Sequence, residues 1–176
     1  MMIFITGGVR SGKSGLAEKL AMRFASKEGR LIYVACGQRT DEEMDARIRH
    51  HRERRKTFGH KWNTVEKNVD LAEIKVKPSD TLLIDCVTTL LASEFFREDK
   101  PGGQADERIV RDLLTLAQQV QAVVIVSNEL SFEPIHHEST LAYASKLGVI
   151  HQRLVHACRT AISVEHGIPV IKKGGI

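Results

Sequence analysis

A glycine-rich segment near the start of the chain has residue types and spacing suited to holding phosphate. It comprises, in order, Gly7, Gly8, Val9, Arg10, Ser11, Gly12, Lys13 and Ser14. The pattern Gly-x4-Gly-Lys-Ser lets consecutive backbone N–H groups wrap a phosphate, because glycine tolerates the conformations required. Lys13 then reaches the β- and γ-phosphates, and Ser14 places its hydroxyl on Mg²⁺. We predict a nucleoside triphosphate site here; the alternative is a glycine-rich turn that holds no ligand.

A carboxylate at the end of a later apolar run is the expected partner of that metal. Residues 81–84 have the composition of a buried strand, and Asp85 follows them. At the carboxyl end of such a strand, an aspartate can bind Mg²⁺ directly or through water. The alternative role for Asp85 is to cap the following helix.

A strongly basic stretch follows at residues 47–55, with the sequence RIRHHRERR. One interpretation is a solvated helix face with Glu–Arg pairs along the helix. The other concerns His51, which shares a helical face with Met44 and Ile48 and is therefore expected to be half-buried. Surrounding arginines would lower its pKa and keep the imidazole neutral and nucleophilic. Such a histidine can attack the α-phosphate of a nucleotide.

Short apolar runs alternate with longer amphipathic segments, which favours an α/β protein with a mainly parallel sheet. We predict strands at residues 2–6, 31–35, 81–84 and 123–126, with one or two edge strands at 161–164 and 168–171. Helices are predicted after the glycine loop, at 87–96, 107–120 and 141–160, and from a capping box at residues 40–43 through the basic stretch. The polar segment 97–105 is expected to be a flexible loop.

Composition narrows the class of protein further. The 176 residues, of which 42% are hydrophobic and 27% charged, suit a single soluble domain. No apolar run approaches the roughly 20 residues that span a bilayer, and we interpret the apolar opening as a buried strand, not a signal. The three widely spaced cysteines indicate neither disulfides nor structural zinc and fit the cytoplasm. The net charge of +4 is concentrated in one patch, which suits anionic phosphates better than nucleic acid.

Several motifs together resemble one enzyme family over nearly the whole chain. They are TGGVRSGKS at residues 6–14, YVA at 33–35, DEEM at 41–44, RIRHH at 47–51, Trp62, DCVTT at 85–89 and SNE at 127–129. This combination resembles the bifunctional adenosylcobinamide kinase/adenosylcobinamide-phosphate guanylyltransferase family of cobalamin biosynthesis. The resemblance implies a RecA-like P-loop NTPase fold.

The resemblance also implies two reactions and a set of site residues. ATP or GTP phosphorylates adenosylcobinamide, and the adenosylcobinamide phosphate then receives GMP from GTP through a GMP-histidine intermediate on His51. Lys13 is the other catalytic residue, and Ser14 and Asp85 are the expected Mg²⁺ ligands. A homotrimer with active sites between subunits is implied as well. The implied nucleotide contacts are Gly7 through Ser14, Ala35, Cys36, Gly37, Arg52, Glu53, Arg54, Arg55, Glu66 and Asp85.

The chain departs from the family pattern in two places. Residues 130–137 read LSFEPIHH where the family has a glycine-rich Gly-x-Gly-Ile-Val-Pro stretch, so we expect the atypical segment 130–138 to affect corrinoid contacts or a subunit contact. Asp85 stands where some members have glutamate, a change that preserves charge. Two other functions stay open: a P-loop small-molecule kinase without guanylyltransferase activity, and a RecA-like ATPase module that binds nucleic acid through the basic helix.

Overall fold

A computed structural model of the protein describes residues 1–37, 59–130 and 137–175, together with Arg49 and Glu53. The described strands are β1 (Met2–Gly7), β2 (Leu31–Ala35), β3 (Trp62–Glu66), β4 (Thr81–Asp85), β5 (Ala122–Asn128), β6 (Thr160–Glu165) and β7 (Ile168–Lys173). They form one sheet in the order β3-β2-β4-β5-β1-β6-β7. All neighbouring pairs are parallel except β6 and β7, which are antiparallel. The predicted α/β class with a mainly parallel sheet is therefore confirmed.

Helices pack on both faces of this sheet. In the described residues they are α1 (Lys13–Arg23), α2 (Val87–Phe95), α3 (Ala105–Gln119) and α4 (Glu138–Ala157), with short 3₁₀ turns at Leu71–Glu73 and Gly102–Gln104. Strand residues alternate between the two faces. Phe4, Val34 and Ile84 pack with residues of α2, α3 and α4, whereas Ile5 and Val126 pack with residues of α1. The first helix is thus held against the sheet directly below the glycine-rich loop.

The carboxyl-terminal region differs from its sequence prediction. The last long helix was predicted to reach residue 160, but it ends at Ala157. Cys158 is extended, Arg159 N–H donates to the carbonyl of Met2 (3.0 Å), and Thr160 begins β6. Residues 161–164 were expected at a sheet edge, which is wrong, because β6 lies between β1 and β7. Of these two predicted strands, only the second, β7, lies at an edge of the sheet.

The polar segment 97–105 is anchored through a group of charges that we call the ion cluster: Asp70, Glu94, Arg97, Lys100 and Arg108. Glu94 is buried, and Arg108 Nε (2.9 Å) and Arg97 Nη1 (3.2 Å) both donate to its Oε2. Arg97 and Lys100 also pair with the carboxylate of Asp70 at 3.1 and 2.7 Å. The cluster ties this segment to α2, to α3 and to the turn before Leu71.

None of the helices in the described part of the chain combines the length and apolarity needed to cross a membrane.

Candidate active site at the carboxyl edge of the sheet

The glycine-rich loop leaves β1 and enters α1 through backbone conformations that few residues tolerate. Gly12 has φ 94° and Arg10 has φ 60°, both in the left-handed region. A Cβ atom on Gly7 would lie only 2.5 Å from the carbonyl oxygen of Val164. The glycines at positions 7 and 12 are therefore required by the path of the loop and by its close packing on β6.

The amino end of α1 has no capping group of its own. Its N-cap residue is Gly12, which has no side chain with which to cap the helix, and its first turn contains no acidic residue. The first N–H groups of a helix lack intrahelical partners and carry partial positive charge. Lys13 is 4% exposed, and its Nζ donates to the carbonyl of Gly8 (2.8 Å) across the loop. An anion placed here would meet free backbone donors and a lysine ammonium.

Backbone hydrogen bonds fix the loop from both sides. Glu129 N–H, just after β5, donates to the carbonyl of Gly7 (3.0 Å). Gly167 N–H, in the turn between β6 and β7, donates to the carbonyl of Ser11 (2.9 Å). The loop is thus held in place by two neighbouring connections, and this preorganises its N–H groups.

Strand register collects further polar residues at the same edge of the sheet. Ala35 lies opposite Glu66 on one side and opposite Asp85 on the other. On the next strands, Asp85 pairs with Val126, and Asn128 pairs with Gly7. Because adjacent strands are about 4.8 Å apart, these residues lie in a row along the edge of the sheet beside the phosphate loop, and we call this part of the edge the groove. The hydroxyl of Tyr33 donates to Oδ2 of Asp85 (3.0 Å) and orients that carboxylate.

A sequence model of the family described as cobinamide kinase/cobinamide phosphate guanyltransferase matches residues 3–171. The chain belongs to this family. It is 35% identical to the bifunctional adenosylcobalamin biosynthesis protein CobU of Escherichia coli (strain K12), with 97% of this chain and 98% of that protein covered. It is 32% identical to the bifunctional adenosylcobalamin biosynthesis protein CobP of Pseudomonas aeruginosa (strain PAO1), with 99% and 98% covered.

Solved structures resemble the chain in fold at lower identity. The flagellar accessory protein FlaH from Methanocaldococcus jannaschii gives a TM-score of 0.54 at 16% identity, covering 99% of this chain and 78% of that one. The KaiC-like protein PH0186 from Pyrococcus horikoshii OT3 gives 0.55 at 17% identity, covering 98% and 78%. These similarities support the predicted RecA-like P-loop fold.

Most of the implied site residues that the structure describes lie at one edge of the sheet. Gly7 through Ser14, Ala35, Gly37, Glu66 and Asp85 all lie at the carboxyl edge. Cys36 is at this edge too, but it is fully buried, its side chain packs in the core below the groove, and burial raises the pKa of its thiol well above the ordinary value. Only the backbone of Cys36 is therefore available to a nucleotide.

The residues of the basic helix are mostly beyond what the structure describes. His51, Arg52, Arg54 and Arg55 lie outside the described residues, as do the capping box at 40–43 and residues 131–136 of the atypical segment. Arg49 and Glu53 are helical and exposed, as predicted for this stretch.

The structure adds Asn128 to the candidate site. Its Nδ2 donates to Oγ1 of Thr88 (3.2 Å), and its Oδ1 is buried without a hydrogen-bond partner in the described part of the chain. Thr88 is in turn held by Tyr143, whose hydroxyl donates to the Thr88 carbonyl (2.6 Å). Asn128 belongs to one of the motifs that carried the resemblance. Its place as a polar residue ending an apolar strand beside the loop is the signal that could have added it to the site.

Behind the groove, a buried pair supports the end of β5. Ser127 Oγ lies 2.7 Å from Nε2 of His151 on α4, and burial lowers the pKa of that histidine. The ring of His151 also packs against Phe4, with ring centroids 5.3 Å apart. This pair faces the layer formed by α2, α3 and α4, so we infer that it holds the end of β5 in place.

Proposed function

We propose that this chain phosphorylates adenosylcobinamide with a nucleoside triphosphate and then transfers GMP from GTP to the resulting phosphate, giving adenosylcobinamide-GDP. Family membership suggests the pair of reactions. The observation that carries the nucleotide site is the uncapped amino end of α1, with Lys13 beside it and the loop fixed by Glu129 and Gly167.

In the phosphorylation step, the loop backbone and Lys13 hold the β- and γ-phosphates. Their positive potential stabilises the charge that builds up as the γ-phosphoryl group passes to the substrate hydroxyl. The hydroxyl oxygen bonds to the γ-phosphorus, the bond from that phosphorus to the bridging oxygen breaks, the hydroxyl proton passes to solvent, and the nucleoside diphosphate leaves. Asp85, oriented by Tyr33, borders the same groove.

Ser14 and Asp85 are the residues that would hold Mg²⁺. The described residues contain no cluster of three or more metal-binding side chains of the His, Cys, Asp or Glu type. A nucleotide-bound Mg²⁺ needs only one or two protein oxygens, since phosphate and water complete its octahedron. A serine hydroxyl and an aspartate carboxylate are hard oxygen ligands of the kind that Mg²⁺ prefers, so these two residues fit the ion. When bound, the ion neutralises phosphate charge.

In the transfer step, His51 attacks the α-phosphate of GTP and forms a phosphoramidate bond to GMP, while pyrophosphate leaves. The phosphate of adenosylcobinamide phosphate then attacks the same phosphorus and regenerates the imidazole. The role of Arg52, Arg54 and Arg55 would be to stabilise negative charge in both halves. This assignment depends on the sequence, because these residues lie outside the described part of the chain.

The test is to incubate the protein with Mg²⁺ and GTP labelled at the α-phosphate, without corrinoid, and then denature it. We expect acid-labile, alkali-stable label stoichiometric with protein. His51→Ala should abolish the label, whereas the matched control His50→Ala should retain it. Label retained in His51→Ala would refute the assignment. Absence of label in the wild type, with corrinoid-dependent ADP formation intact, would leave a P-loop small-molecule kinase.

We also propose that the enzyme is a cytoplasmic homotrimer. Its three cysteines are free and buried, which suits a reducing compartment. The edge strand β7 exposes apolar side chains, with Ile168 65% and Ile171 50% exposed, and a bare apolar edge suits contact with another copy. Light scattering should give a trimer mass for the wild type and a smaller mass for an Ile168→Asp, Ile171→Asp variant.

A further inference from the structure

A basic cavity lies at the amino-terminal edge of the sheet, at the opposite end of the strands from the phosphate loop. Its volume is about 570 Å³, and the described residues that line it come from two stretches of chain, 25–31 without Glu28 and 60–63 without Trp62. Leu31 begins β2 and Trp62 begins β3. The cavity therefore opens where these parallel strands start, whereas the candidate active site is where they end.

Strand register brings positive charges together at this cavity. Leu31 pairs with Trp62, so the residues just before them, Arg30 and Lys61, lie side by side on neighbouring segments of the chain. Lys27 and His60 also line the cavity, and none of the described residues in its lining carries a carboxylate side chain. Arg30 is paired with Asp80, but Lys27 and Lys61 add positive charge beside it, and an anion between these side chains would reduce the repulsion among them.

One wall of the cavity is rigid. A Cβ on Gly29 would lie 1.7 Å from the carbonyl oxygen of Ser79, so this position is closely packed against the turn before β4. Asp80 is fully buried and accepts hydrogen bonds from the backbone N–H (2.9 Å) and the Nε (3.2 Å) of Arg30. The guanidinium is thereby fixed while its side chain stays 42% exposed. A fixed cation is preorganised to bind an anion without loss of side-chain entropy.

We propose that this cavity binds a small phosphate-bearing anion, separately from the active site. Lysine and arginine are the side chains that recognise phosphate, and Ser26 and Asn63 add neutral donors to the lining. The volume is in the usual range for small-molecule sites, roughly 300–1,000 Å³, and exceeds what one phosphate fills. A diphosphate or the phosphates of a nucleotide have the required charge and size. The test must therefore distinguish free pyrophosphate from the phosphates of a bound nucleotide.

The probe is pyrophosphate, added without Mg²⁺ to protein carrying ¹³C-labelled histidine. His60 lines the cavity, so its ring C–H resonance, assigned as the signal lost in His60→Gln, reports on this cavity and not on the phosphate loop. We expect a saturable shift of that resonance. The Lys27→Ala, Lys61→Ala double variant should weaken the affinity at least about tenfold, because two charge-assisted contacts are lost. The matched control, Lys19→Ala with Lys172→Ala, removes the same charge elsewhere and should leave the affinity unchanged.

A parallel titration with GMP separates the sources. GMP that shifts the same resonance and competes with pyrophosphate assigns the cavity to nucleotide phosphates; GMP without effect assigns it to pyrophosphate itself. The proposal is overturned if pyrophosphate causes no saturable shift below about 10 mM, too weak for a metabolite site. It is also overturned if the double variant binds as tightly as the wild type. Neither result bears on GMP-histidine formation, which is measured separately.

Discussion

The ion cluster and the phosphate loop differ in how their buried polar groups are hydrogen-bonded. In the ion cluster, the buried carboxylate of Glu94 accepts hydrogen bonds from Arg108, from Arg97 and from the backbone N–H of Asp70 (3.0 Å). Around the loop, Ser11 Oγ and Asn128 Oδ1 are buried without a hydrogen-bond partner in the ranges the structure describes.

An unpartnered buried polar atom costs about 1–3 kcal/mol, so its retention beside the loop suggests that a ligand supplies the missing bond. The ion cluster needs no ligand, because its two carboxylates and that of Asp99, which also accepts from Arg97 (2.7 Å), balance its three cations. The comparison predicts that changes at the loop lower activity with little loss of stability, whereas changes in the cluster lower stability first.

Removing the loop ammonium should have the largest effect on activity. In Lys13→Ala we expect kcat for phosphoryl transfer to fall about 10²–10³-fold, as when one electrostatic donor is removed from a transition state. ADP formation from ATP in the presence of adenosylcobinamide measures this. Lys19→Ala, on the exposed side of the same helix, is the control and should be unaffected. Nearly full activity in Lys13→Ala would show that the loop does not serve this reaction.

Removing the central anion of the ion cluster should have the largest effect on stability. In Glu94→Gln the neighbouring Arg108, only 7% exposed, loses its carboxylate partner. Breaking a buried pair in this way costs about 3 kcal/mol, which urea unfolding measures. Glu98→Gln is exposed and should change stability by less than about 0.5 kcal/mol.

A double variant sharpens this prediction. Adding Arg108→Met to Glu94→Gln removes the unpaired cation, so part of the lost stability should return. If the losses of stability in the two single variants simply add in the double variant, Glu94 and Arg108 are not energetically coupled. The conclusion that the charges of the cluster stabilise one another would then be wrong.

Acid should weaken the cluster through Asp70. Hydrogen bonds from Arg97 and Lys100 lower the pKa of Asp70 from 3.8 to about 2. A lowered pKa stabilises the fold above about pH 4, and this contribution is lost as pH falls towards 2. Because Asp70 is 23% exposed, solvent screening reduces the expected amount to about 1–2 kcal/mol. Urea unfolding between pH 5 and about pH 2.5 should show the loss.

Asp70→Asn provides the comparison for the acid experiment. It should be less stable than the wild type at pH 5, and the difference should shrink as the pH falls to about 2.5, since the carboxyl of the unfolded wild type is then protonated and that of the folded protein is nearing its pKa of about 2. A constant difference between the two proteins over this range would show that Asp70 does not carry the pH dependence.

Most of the fold follows from local sequence patterns, and the exceptions have physical reasons. Buried strands such as β1 and β4 are short apolar runs, so their positions are readable. β3 has the sequence WNTVE and is half exposed at the sheet edge, so it has no apolar run to detect. The residues around 155–160 continue a helical pattern, but the hydrogen bond from Arg159 to Met2 draws the chain into the sheet. Such long-range pairing leaves no local signal.

The sequence predicts the part of the candidate site that a single segment forms. It predicts less well the parts where several segments meet. The loop motif specifies its own chemistry. Glu66 has no distinguishing signal of its own and reaches the groove only because β3 pairs with β2. The implied contact through Cys36 is restricted to its backbone, since strand alternation places its side chain in the core. Position in the sheet, not residue type, decides both cases.

The smallest expected effect concerns Asn128, and it tests the comparison most directly. In Asn128→Ala the unpartnered Oδ1 and one hydrogen bond to Thr88 are both removed, so the two contributions to stability oppose each other and should leave a change below about 1 kcal/mol. If nucleotide or substrate binds the Oδ1 or Nδ2 atoms, kcat/KM for phosphoryl transfer should fall about fivefold, the worth of one hydrogen bond. Asn128→Asp should lower it further, because a carboxylate beside the loop repels phosphate. Gln119→Ala, at the exposed carboxyl end of α3, is the control. A loss of more than about 2 kcal/mol in stability with unchanged kcat/KM would show that Asn128 has a structural role, as the residues of the ion cluster do. A ligand would then not be the reason why its Oδ1 atom has no partner in the described residues.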